Sequence, residues 1–182
     1  MEGMIIRPAT PLDAEALAAI YGHHVTHGFG TFEETPPSPQ EMEARRSAVV
    51  ALGLPYLAAE ADGRVLGFAY ASQFRTRAAY RYTLEDTVYV ASDAIGQGVG
   101  KTVLGAVIEA CAALGARQLV AMIGDNANAA SIGLHRSLGF ADAGVFRGLG
   151  HKHGRWVDVV MMQKALNGGD TGLPRGPGLP MT

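Results

Sequence analysis

The chain has 182 residues, 48% hydrophobic and 18% charged, with a formal net charge of -2. That is the length of one domain, and an ordinary apolar share with so little net charge excludes a chain disordered throughout. The near-neutral balance argues against a nucleic-acid partner held by counterion release, and no apolar run approaches the roughly 18 residues of a membrane span. A single cysteine, Cys111, excludes an internal disulfide or a cysteine-rich zinc module and points to a reducing, cytoplasmic setting. Met1–Arg7 lacks the shape of a signal peptide. Glycine stands out: 24 residues, nearly double the usual share of roughly 7%, without collagen period or linker repeat.

Taken in chain order, Met4–Arg7 is a short apolar strand. Thr10-Pro11-Leu12-Asp13 is a helix start, with a hydroxyl cap, proline at the first helical position and a carboxylate three residues on. Ala14, Leu17, Ala18 and Tyr21 continue it at helical spacing. His27–Pro37 reads as an ordered loop, and Ser38-Pro39-Gln40-Glu41 repeats the start signal for a helix to about Leu52. Tyr56–Ala61, the Asp62-Gly63 turn and Val65–Ser72 give the clearest hairpin signal in the chain. Gln73–Ala79 is a basic loop and Tyr80–Val90 a long strand. A glycine-rich turn at Gly96–Gly100 precedes a helix with Val103, Leu104, Val107, Ile108, Cys111 and Leu114 on one face, ended by Gly115. Gln118–Ile123 is a buried strand, Asn128–Leu138 a short helix ended by Gly139, and Phe140–Phe146 and Trp156–Leu166 two further strands around a Gly- and His-rich loop. Trp156, Met161 and Met162 read as core strand residues, and Cys111 as inert packing. Residues 4–166 form a single domain, an α+β arrangement with one mixed sheet covered by helices. Asn167–Thr182, rich in Gly and Pro, is expected to stay disordered.

The turn Gly96-Gln97-Gly98-Val99-Gly100-Lys101 has a physical use. Glycines leading into a helix aim backbone N–H groups at one spot, where the helix dipole favours negative charge and no Cβ blocks a phosphate. The plain alternative is a tight turn with nothing bound. Two nucleotide motifs come near this turn and miss it. A dinucleotide fingerprint needs glycine where Lys101 stands, and Gly98-Val99-Gly100-Lys101-Thr102 as a P-loop needs its first glycine at Ile95. A nucleotide hydrolase using Gly98–Thr102 is kept as an alternative, as is a coenzyme-binding module without catalysis.

A set of motifs in order is more specific than the turn alone. The strand Thr83-Leu84-Glu85-Asp86-Thr87-Val88-Tyr89-Val90, the glycine turn, and Asn128-Ala129-Ala130-Ser131 before Leu134-His135-Arg136-Ser137-Leu138-Gly139-Phe140 resemble the GCN5-related N-acetyltransferases (the GNAT superfamily). Phe74–Val90, Gly150–Val159, Ile20-Tyr21 and Thr31–Pro37 resemble its phosphinothricin and methionine sulfoximine acetyltransferase subfamily. The resemblance covers residues 4–166. It departs at Ile95, where the family has Gln or Arg near the phosphates; Lys101 is a substitute source of charge.

The resemblance implies an acyl-CoA N-acyltransferase fold, acetyl-CoA as co-substrate, no metal, a small amino-acid-like acceptor and a homodimer. It implies that the backbone of Gly96, Gln97, Gly98, Val99, Gly100 and Lys101 holds the pyrophosphate. Val88, Tyr89 and Val90 would pair with the pantetheine arm, and an amide near Val90 would polarise the thioester carbonyl. Glu85 becomes a general base if burial raises its pKa, against the alternative of a surface strand glutamate. Asn128 suits a helix cap by residue type, and the resemblance adds contact with the pantetheine region. His135, two turns further on, takes the position where many relatives carry the acid that serves the coenzyme sulfur; its plain alternative is a structural histidine. Which of Glu85 and His135 takes the amine proton stays open. Arg75, Thr76 and Arg77 could hold a carboxylate or phosphinate, or form only a solvated basic loop; Phe32, Glu33 and Tyr80 are further pocket candidates. His135, His151 and His153 find no carboxylate or cysteine at ligand spacing, so no metal site is expected.

Overall fold

A computed structural model describes residues 3–179. Strand β1 (Ile5–Pro8) is followed by helices α1 (Ala14–His27) and α2 (Pro39–Ala51), then strands β2 (Tyr56–Ala61), β3 (Arg64–Gln73) and β4 (Thr83–Val90). Next come α3 (Val99–Ala113), β5 (Gln118–Gly124), α4 (Ala129–Ser137), β6 (Ala141–Lys152) and β7 (Arg155–Ala165). The seven strands form one sheet in the order β1-β2-β3-β4-β5-β7-β6. Every neighbouring pair is antiparallel except β4 and β5. The α+β expectation is therefore the observed architecture.

Local chemistry sets the helix starts. Asp13 accepts a hydrogen bond from the Thr10 backbone N–H at 2.7 Å, and Ser38 Oγ accepts one from Glu41 N–H at 3.1 Å. Both satisfy donors that a helix start leaves open. The β2–β3 turn places Asp62 at φ 51 and Gly63 at φ 73, the geometry for which Asp-Gly is suited.

The sheet separates two apolar cores. Val103, Leu104, Val107 and Cys111 of α3 pack with Leu84, Leu119, Ile123 and Met162 on one face. Leu17, Tyr21 and Val25 of α1 pack with Met42, Tyr56 and Phe68 on the other. Strand alternation then divides β4: Leu84, Val88 and Val90 lie toward α3, and Tyr89 lies toward α1. Asp86 shares the first face and Glu85 the second.

Four sequence expectations give way. The strand expected from Tyr80 starts at Thr83, because Ala78–Tyr80 closes a 3-10 turn in which Arg81 N–H reaches Ala78 O at 3.2 Å. The expected Gly/His loop is instead the end of a long hairpin: β6 and β7 stay paired up to Lys152↔Arg155. Register shifts at Asp142/Gly144 and Phe146/Gly150 absorb the glycines. On that hairpin Met162 is buried, but Trp156 is 69% exposed, so it is not a core residue. The fourth concerns the tail. Residues 167–179 are held in place: the Asn167 amide donates to the carbonyls of Ala112 (2.8 Å) and Ala116 (3.0 Å), and Leu179 N–H donates to Arg81 O at 2.8 Å. Leu179 is buried against the α3 core. Residues 180–182 lie outside the described residues.

Candidate active site

The sheet is incomplete at its centre. Pairing of β4 with β5 runs only from Thr83↔Gln118 to Glu85↔Val120; beyond that the strands separate. Ala91 N–H donates to Leu66 O at 2.8 Å, which fixes the alternation on the β3 side. The backbone groups of Val88 and Val90 therefore turn away from β3, toward the gap. His24 of α1 donates its Nε2–H to Val90 O at 2.8 Å. Burial lowers the His24 pKa, which keeps that ring neutral and suited to the role. The Val88 amide and carbonyl and the Val90 N–H are left facing a cleft of about 920 Å³. Such polar groups, left without a strand partner, suit an extended ligand that supplies its own amides.

Gly96 and Gly98, at φ +79 and +84, form the mouth of this cleft, and a Cβ added at either would meet no atom within 4 Å. Gly98 caps α3. The open N–H groups of the first turn and the helix dipole make the mouth an anion site that a side chain would fill. Gly100 serves differently: a Cβ there would come within 3.2 Å of Leu134 and 3.3 Å of Val90, so glycine lets α3 close on α4 and β4. Ile95 and Lys101 line the mouth. The Gln97 side chain instead donates to Asp93 O at 2.8 Å.

Glu85 and His135 both line the cleft, but from opposite faces of β4. Burial raises the Glu85 pKa above the ordinary 4.5; Arg75 opposes the rise and Asp86 adds to it. His135 does not meet Glu85. Its Nδ1–H donates to Ser131 O at 2.7 Å and its Nε2 lies 2.9 Å from Asp86 Oδ2. Burial works against a charged ring, yet the hydrogen bond and attraction of Asp86, with Ser131 O, leave the His135 pKa raised. Asp86 is a site residue that the motifs do not mark; alternation with Leu84 and Val88 is the signal that its carboxylate points inward.

Asn128 accepts from Ser131 N–H at 3.1 Å, capping α4, and also lines the cleft. The loop after α1 roofs the cleft through Gly28–Thr31, a contribution that sequence reasoning did not find. Lys152 Nζ donates to Thr31 O at 2.8 Å, and Tyr21 joins Thr31 Oγ1 and Glu33 at 2.8 Å each. Phe29 O rests so close to Gly124 that a Cβ there would stand 2.1 Å away. Phe32 and Tyr80, 40% and 39% exposed, lie outside the cleft lining, as do Arg75, Thr76 and Arg77. Phe32 covers Gly150, and Arg75 stacks on Phe74 with its guanidinium 4.3 Å from the ring. Among the described residues no group of three His, Cys, Asp or Glu side chains is arranged to hold a metal ion, and no helix is long and apolar enough to cross a membrane.

A split sheet, a glycine-capped anion site at a helix start and two ionisable side chains in one cleft define an acyl-transfer fold, and the family model confirms it. The Acetyltransferase (GNAT) family model matches residues 19–140, and the chain belongs to that family. It is 56% identical over 162 residues to the phosphinothricin N-acetyltransferase of Alcaligenes faecalis, covering 89% of this chain and 82% of that protein. It is 40% identical over 163 residues to an L-methionine sulfoximine/L-methionine sulfone acetyltransferase of Pseudomonas paraeruginosa, covering 89% and 94%. A phosphinothricin acetyltransferase from Sinorhizobium meliloti, solved in complex with AcCoA, superposes with a TM-score of 0.92 at 42% identity, covering 98% and 97%. The nucleotide-hydrolase alternative finds no support: Thr102 Oγ1 is turned back to Gly98 O at 3.1 Å within the helix.

Proposed function

We propose that this chain moves the acetyl group of acetyl-CoA to the α-amino group of a small amino-acid analogue of the phosphinothricin or methionine sulfoximine type. The observation that carries the reading is the cleft where β4 leaves β5, with an open anion site at Gly96 and Gly98 and Glu85 and His135 on its walls. Acetyl-CoA supplies the acyl group as a thioester. The N-terminal turn of α3 holds its pyrophosphate, and the Val88 and Val90 backbone groups hold its pantetheine amides. Overall, an ammonium and the thioester give an amide, a thiol and one released proton.

Glu85 takes the amine proton. It shares the α1 side of the cleft with Tyr21, Tyr70, Thr87 and Tyr89, and its raised pKa makes its carboxylate a better base. His135, on the α4 side, serves the departing thiolate. Arg75, close enough to influence Glu85, is the cation best placed to attract the carboxylate of the acceptor. Arg77, Thr76, Tyr80 and Phe32 stand outside the cleft lining and would meet the acceptor only at its outer end. Residues 4–166 carry the catalytic machinery, with residues 167–179 packed against the same α3 core, and the enzyme works in the cytoplasm. The exposed outer strand β6, with Val145, Phe146 and Leu149 beside Trp156, is the surface of a homodimer.

The test is thiol release from acetyl-CoA with phosphinothricin, methionine sulfoximine and methionine sulfone among a panel of amino acids. Turnover is expected on these analogues, and Glu85→Gln lowers it by roughly 100-fold. Coenzyme binding without turnover on any amine would make the protein a binding module and end the proposal.

A further inference from the structure

The Asp86–His135 contact has no place in the reaction as outlined. Both side chains are nearly sealed, at 3% exposure for His135 and 1% for Asp86. A position between Leu84 and Val88 on the α3 face calls for an apolar side chain on packing grounds, and a buried ion pair adds little net stability over such a residue. The carboxylate is also only half satisfied: Asp86 Oδ1 is buried with no hydrogen-bond partner, a cost that packing alone does not explain. Around the pair stand Phe140, whose ring meets the imidazole edge-on at 5.0 Å, and two titratable neighbours, Cys111 of α3 and Glu85 of β4. The Cys111 thiol is pushed up to about 12 by burial and by Asp86, so it stays uncharged.

The ring geometry fixes where protons sit. The Ser131 carbonyl, 2.7 Å from Nδ1, can only accept, so Nδ1 carries a hydrogen. Nε2 then faces a carboxylate oxygen at 2.9 Å. Burial raises the Asp86 pKa while the hydrogen bond to His135 and its charge lower it, and the His135 pKa is itself raised. The close contact therefore favours a second ring proton over a bare imidazole. We propose that Asp86 is a positioning residue of the acetyl transfer: it clamps the His135 ring against the Ser131 carbonyl and keeps both ring nitrogens protonated at the edge of the cleft. This rests on the reading that His135 serves the departing thiolate: the doubly protonated ring stabilises the thiolate by its charge, and the sulfur takes up a proton as the amine proton leaves through Glu85, so that one proton is released overall.

Asp86→Asn tests it, because an amide of the same shape holds the ring while withdrawing the charge that keeps the second proton. The expected result is a kcat about 100-fold lower with KM for acetyl-CoA within about twofold, and a His135 limb of the pH–rate profile moved to lower pH. Asp86→Glu recovers more of kcat than Asp86→Asn does. Nitrogen-15 NMR of the wild-type ring at pH 7 reads the same claim without any variant: both ring nitrogens carry protons. A neutral His135 ring at pH 7, or a wild-type rate and pH profile in Asp86→Asn, overturns the proposal. His135→Gln separates the two readings. If it is slow while Asp86→Asn is fast, Asp86 alone loses its role; if both are fast, the role of His135 falls as well.

Discussion

Replacing Gly98 by alanine separates the two uses of a glycine at φ +84, the shape of the turn and the space in front of it. A side chain in the left-handed region costs about 1–2 kcal/mol. Because a Cβ there meets no atom within 4 Å, no clash adds to that figure. At about 2–4 °C per kcal/mol for a chain of this size, the apo protein should melt about 2–8 °C lower. The new methyl group also stands where the α3 N–H groups would meet a pyrophosphate. Losing one charge-assisted hydrogen bond of about 1.5–3 kcal/mol weakens coenzyme A binding by roughly 10- to 150-fold. Gly63 is the control: φ +73, equally open, but in the β2–β3 turn rather than the cleft lining. Gly63→Ala should show the same loss of melting temperature with coenzyme A affinity unchanged. Thermal melts and titration calorimetry with coenzyme A read both quantities. Wild-type affinity in Gly98→Ala, or an equal loss in Gly63→Ala, would refute the cradle.

Three further outcomes follow. With Glu85 raised by burial, the base is lost as pH falls through a value above 4.5, so the acid limb of kcat/KM lies above 4.5 and vanishes in Glu85→Gln. Asp13 is held at about 2 rather than 3.8, chiefly by its hydrogen bond to Arg7. Its contribution of about 2.5 kcal/mol, at about 1.36 kcal/mol per tenfold change in proton affinity, is complete above pH 3.8 and lost as pH falls toward 2. Urea unfolding should show the stability gap between wild type and Asp13→Asn closing over that range. A gap that stays constant with pH would count against it. Cys111, fully buried with its thiol pushed up to about 12, should react with a thiol reagent only on unfolding, leaving no background in the thiol-release assay.

Where a feature is written in neighbouring residues, the sequence displays it. The Asp62-Gly63 turn, the Thr10 and Ser38 helix starts and the helix-ending glycines Gly115 and Gly139 all depend on contacts within a few positions, and each is found at its expected place. The features hidden from it depend on distant partners. Asp86 acquires its meaning from His135, 49 residues away, and Thr31 from Lys152, 121 residues away. The β6–β7 hairpin was hidden for another reason: glycines that read as loop are taken up in register shifts while pairing continues. The tail reads as disordered by composition, yet Asn167 and Leu179 tie it to α3 and to Arg81.

The gap between β4 and β5 has a consequence for how long the protein lasts. A sheet that stops pairing at Glu85↔Val120 is a seam in the middle of the molecule, and on the proposed function a metabolite closes it. Ligand at about 100 times its dissociation constant adds roughly 2.7 kcal/mol to the folded state, comparable to deleting or restoring a good part of a buried side chain. Resistance to unfolding and to proteolysis thus rises with occupancy of the seam by either form of the coenzyme, acetylated or free.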